Sequence, residues 1–245
     1  MLELLLAMFI MGALVTVAIP VFRTLIKGKD TERAATELSA RIQYARSYAV
    51  SNHAYVALVF LRVGDNGKLE GITNVDVDPA YFNSAYRMAI VYKKGGAYTF
   101  QMWMPDSQWN FFPDGIIIPP GEENFGIQKS NDRSAADYWE IDTDADMSKV
   151  ADVDLDELVE DEKIDVERCL IFKPDGQLVS GDKKQVLIRF AEVTYDPALV
   201  GQTGFKFIPK NRDEDGKVDH MILSLNPLTG KTQYHHQFDE LQENE

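Results

Sequence analysis

The sequence predicts an α+β fold: a long N-terminal helix, membrane-spanning in its first half, packed on an antiparallel β-sheet domain. Three observations lead there. From Leu4 to Phe22 there is no charged residue, and Leu, Met, Ile, Val, Ala and Phe dominate. Ala34, Leu38, Ile42, Ala45 and Ala49 then recur at helical spacing. From Val56 onward, β-branched and aromatic runs alternate with turns rich in Gly, Pro, Asn and Asp.

At ~1.5 Å per residue the uncharged run spans roughly 28 Å of helix, close to the hydrocarbon thickness of a bilayer. Gly12, Thr16 and Pro20 interrupt it, and membrane helices tolerate all three. Proline removes a helical hydrogen bond, so a kink is expected at Pro20. Asp30-Thr31-Glu32-Arg33 offers capping residues for a restart, and Asn52-His53 ends the helix. The expected organisation has three parts. Residues 1–23 form the transmembrane half of the helix and 24–52 its amphipathic half. Residues 53–245 form a globular β-domain with an acidic insertion at about 121–167.

Within that domain, Val56 to Val63 reads as a strand, and Gly64-Asp65-Asn66-Gly67 as a hairpin turn. Arg87 to Tyr92 and Ala97 to Met104 flank Lys93-Lys94-Gly95-Gly96, a second hairpin. Ile116-Ile117-Ile118 follows Pro113-Asp114-Gly115, and Cys169 to Phe172 precedes Pro174-Asp175-Gly176. Gln185 to Val193, Met221 to Leu225 and Thr232 to Tyr234 complete the strand set.

Hydrophobic residues make up 45% of the 245, enough for a packed core. The formal charge is −14, and it is concentrated. Between Asp137 and Glu167, fourteen acids face only Lys149 and Lys163, which leaves that window at −12. No basic stripe is present to neutralise phosphates, so nucleic acid is not an expected partner. The single cysteine, Cys169, sits in an apolar run and reads as a buried inert thiol.

Two features of the N-terminus need a common cause. Glu3 opens the apolar run, and the basic residues Arg23, Lys27, Lys29 and Arg33 follow the run with none before it. Read alone, the positive-inside rule would leave the bulk of the chain in the cytoplasm. Met1-Leu2-Glu3-Leu4-Leu5-Leu6, Gly12 and Ala18-Ile19-Pro20 together resemble the N-terminal segment of type IV pilins and pseudopilins. In that family a short basic leader precedes the segment and is removed by a prepilin peptidase. The leader is missing from this sequence, so the chain is expected to begin inside the mature N-terminus. Glu3 matches the family's glutamate and Pro20 its kinking proline. The resemblance implies that Glu3 is neutralised by a neighbouring subunit's N-terminal amine, which sets axial register on assembly.

Further residues extend the likeness. Ala34, Ala35, Glu37 and Leu38, the run Ala45-Arg46-Ser47-Tyr48-Ala49, then Ile171-Phe172-Lys173-Pro174-Asp175-Gly176 and Leu228-Thr229-Gly230-Lys231 are similar to H-type minor pseudopilins and the related fimbrial T-type minor pilins. The first 50 residues carry the specific signal. Residues 65–86 and 121–167 have no counterpart and read as insertions. The resemblance implies a structural, non-enzymatic subunit, a minor pseudopilin of a type II secretion pseudopilus, anchored in the membrane before assembly. Its partners would be other pseudopilins or pilins through the N-terminal helix, prepilin peptidase on the precursor, and the bacterial inner membrane. Its localisation would be single-pass in that membrane, with the globular domain in the periplasm or in an extracytoplasmic filament. Two alternatives stay open: a minor pilin serving adhesion or uptake, and a signal-anchored periplasmic calcium-binding module.

Calcium enters through one loop. Asn211, Asp213, Asp215 and Asp219 place side-chain oxygens at alternate positions around Gly216. The twelfth position is Ile222 instead of a bidentate glutamate, and strand-like residues flank the loop. A hairpin turn of solvated acids explains the pattern as well. Asp142, Asp144 and Asp146 alternate, as do Asp152, Asp154 and Asp156, although Leu155, Leu158 and Val159 suit a short surface helix. His235-His236, adjacent in a strand, would point to opposite faces. Neither a G-x-S-x-G nor an H-E-x-x-H motif occurs. Trp103, Trp109, Phe111 and Phe112 read as core, with an exposed partner-binding surface as the alternative.

Overall fold

The computed structural model describes residues 29–61, 83–119, 138–140, 149–155, 163–166, 168–179, 185–195, 207–210 and 220–236. Helix α1 spans Lys29–Asn52. Strands β1 (Tyr55–Phe60), β2 (Ala85–Lys94), β3 (Ala97–Trp103), β4 (Asn110–Phe111) and β5 (Ile116–Ile117) follow. Then come β6 (Tyr138–Glu140), β7 (Val150–Asp154), β8 (Lys163–Val166) and β9 (Cys169–Phe172). The last are β10 (Gln185–Tyr195), β11 (Phe207–Pro209), β12 (His220–Leu225) and β13 (Thr232–His236).

The helix forms for local reasons that its sequence shows. Asp30 and Glu32 lie in its first turn, where carboxylates favour the positive end of the helix dipole. Ala34, Ala35, Leu38, Ile42, Ala45 and Ala49 make a fully buried stripe. The small alanines let the helix backbone approach the strands below. His53 stops it by adopting a left-handed conformation (φ 51°), and the Ala54 amide donates to the Ala49 carbonyl at 3.1 Å.

The strands form two sheets. The first runs β8-β7-β3-β2-β1-β9, with β4 added to β2. The hairpin between β2 and β3 turns through Gly95 and Gly96, both at positive φ (58° and 97°), as a two-residue loop requires. Tyr86 and Met88 of β2 face the helix, whereas Ala89 and Val91 face away. On that far side, Val150 and Val153 of β7 and Ile164 and Val166 of β8 share one core with Ala57 and Val59 of β1. Strands β3 and β2 lie between β7 and β1 in the sheet. The sheet must therefore curl on itself to bring these side chains together. The second sheet runs β11-β10-β12-β13, with β5 and β6 also paired to β10. Val186, Ile188 and Phe190 of β10 and Met221, Leu223 and Leu225 of β12 enter the same core as the helix stripe.

The expected fold class is corrected here. The described residues are mostly β and make two sheets, one of them curled around a second core that the helix does not reach. The sheets are mixed: β3 pairs with β7 in parallel, and β10 with β6. This is not a long pilin helix laid on one antiparallel sheet. Among the described residues no helix is long and apolar enough to cross a membrane. Lys29, Asp30, Glu32, Arg33, Glu37, Arg41 and Arg46 explain why α1 is not. The single-pass inner-membrane placement, with its transmembrane helix, therefore does not stand. Residues 1–23, on which it was based, lie outside the described residues, as do the turn at 64–67 and the Asp142, Asp144 and Asp146 group.

Around Asp152 and Asp154 the acidic window forms strand β7; Leu158 and Val159, on which the short surface helix was expected, lie outside the described residues. Alternation of buried Val153 and Leu155 with the acids suits a strand with one apolar face. Strands β7 and β8 pack into the second core, so this part of the window is structural.

Candidate functional site

Glu3, Pro20 and the loop residues Asn211, Asp213, Asp215 and Asp219 lie outside the described residues. What the structure does build is the junction between α1 and the two sheets. Both flanks of the helix are tied down by side chains at helical spacing.

On one flank, Ser39, Gln43 and Arg46 meet the end of β9 and the β12–β13 hairpin. Ser39 Oγ and Thr232 Oγ1 share a hydrogen bond of 2.6 Å. The Gln43 amide donates to the Gly230 carbonyl. Arg46 Nε donates to the Gly176 carbonyl at 3.0 Å. Gly176 and Gly230 both sit at positive φ (81° and 66°) and close against Arg46. A methyl group on Gly230 would lie 2.6 Å from Arg46 Cδ, and one on Gly176 would lie 2.9 Å from Val50 Cγ2. The arginine is thus seated between two glycine turns.

The turns themselves are held by short-range chemistry. Asp175 Oδ1 accepts from the Gln177 amide at 2.9 Å. Asn226 Oδ1 accepts from Leu228 and Thr229 at 3.0 and 2.9 Å. The Leu178 amide donates to the Pro227 carbonyl at 2.8 Å, joining one turn to the other. The Pro-Asp-Gly and Leu-Thr-Gly-Lys motifs, distant in sequence, therefore meet at one arginine. On the other flank, Arg41 Nη2 donates to Asn110 Oδ1 at 3.0 Å, and the Tyr86 hydroxyl donates to Glu37 Oε1 at 3.4 Å. Burial pushes the Tyr86 phenol far above its usual range, and the nearby Glu37 carboxylate adds to the shift.

A second cluster stabilises the curled sheet. Arg87 is buried, its guanidinium lies 4.5 Å from the Trp103 ring centre and 6.0 Å from Trp109, and its Nε donates to the Ser107 carbonyl at 3.0 Å. The two indoles meet edge to face at 5.4 Å. Trp103 Nε1 donates to the Asp154 carbonyl at 3.1 Å, linking β3 to the end of β7. Phe112 is buried against Tyr86 and Phe190, whereas Phe111 is 40% exposed. The aromatic run is thus divided: Phe112 is core, Trp103 and Trp109 are half-buried against the second core, and Phe111 is exposed.

Among the described residues no group of three or more His, Cys, Asp or Glu could hold a metal ion. Asp165 is instead paired with Lys149 at 2.9 Å and accepts from the Asp152 amide at 3.2 Å. The Lys149 hydrogen bond is the main cause that holds its carboxyl below the usual value. Cys169 is buried, its thiol pushed up by desolvation. His235 and His236 fall on β13. Arg46 is the residue that sequence reasoning passed over. Its signal was the pair of glycine turns, each needing a partner that would tolerate close backbone approach.

No protein-family model, curated protein or solved structure matches this chain.

Proposed function

We propose that this chain is a structural, non-catalytic subunit of a secretion pseudopilus, of the kind its first 50 residues resemble. The single observation that carries the reading from the structure's side is the locked junction of α1 with both sheets. Ser39, Gln43 and Arg46 on one flank and Glu37 and Arg41 on the other bind the helix to its β-domain. A subunit that takes load through its N-terminal segment needs this rigidity, because force on the helix then passes into the β-domain without undocking it. The uncharged run Leu4–Phe22 lies N-terminal to that helix in the sequence. It supplies the apolar surface by which subunits pack, with Glu3 setting register against the neighbour's amine. An unpaired carboxylate in such packing would cost several kcal/mol.

The test is assembly of the Glu3→Ala chain in its native host, read as the amount of the protein in sheared filaments. Loss of assembly with an unchanged β-domain circular dichroism spectrum is expected. Undiminished incorporation would sink the role given to Glu3.

A further inference from the structure

We draw no further inference here: the strongest candidate, the apolar patch of Ile90, Tyr92 and Met102 on the β2–β3 hairpin, carries nothing because nothing in the structure shows what covers it.

Discussion

Arg46 Nε donates to the Gly176 carbonyl at 3.0 Å while the arginine side chain fills the space a Gly230 side chain would need. One residue of the helix thus fixes two turns that lie more than fifty positions apart. Gly230→Ala should cost about 2–4 kcal/mol, combining the left-handed backbone penalty with the overlap on Arg46. Adding Arg46→Ala should recover the overlap part, leaving the backbone penalty. Denaturant unfolding of the single and double variants measures this, and simple additivity of the two would contradict the close contact.

The helix stripe gives a second expectation. Leu38 is fully buried in the core shared by both sheets. Leu38→Ala should destabilise by about 2–5 kcal/mol, through lost burial and a cavity. Ser47→Ala, on the exposed face, should stay within about 0.5 kcal/mol. Equal effects at the two positions would mean that the helix is not seated as described.

Arg87 and Trp103 should be energetically coupled. A double-mutant cycle with Arg87→Met and Trp103→Leu is expected to give a coupling of about 0.5–2 kcal/mol, the range of desolvated cation–π pairs. A coupling near zero would reduce the cluster to simple packing.

Stability should carry a small acid-side term from Asp165. Its carboxyl is held below the usual carboxylate range, chiefly by the Lys149 hydrogen bond. A depressed carboxylate contributes stability that is full above its unfolded pKa and lost as pH falls through the folded value. The loss therefore sets in below about pH 4. The pair is half exposed, so the term is small. Asp165→Asn should remove it, flattening the urea midpoint against pH in that window. An unchanged slope would place the effect elsewhere.

Much of the fold was legible because its signals are local. The Gly95-Gly96 hairpin, the Pro174-Asp175-Gly176 turn, the helix stop at His53 and the burial of Cys169 each follow from short-range preferences. Sheet curl and parallel pairing were not legible. Both depend on which strands meet across long separations, as with Tyr98 and Val150, and no turn residue encodes that choice. The acids of β7 hid its strand character, because Asp and Glu are depleted in strands. The role of Arg46 was not legible, because helical spacing places it off the buried stripe. The turns that enclose it come from distant sequence.

The most direct test of the filament account is chemical cross-linking between subunits. Cys169 is buried, so a cysteine introduced by Leu6→Cys would be the reactive thiol. With a short bismaleimide applied to native-host cells, the account predicts a ladder of cross-linked species containing this chain, which shrinks to the monomer band when Glu3→Ala is added. A monomer band alone, in cells where the chain with Glu3 intact is present at normal levels, would contradict packing of subunits through the Leu4–Phe22 run.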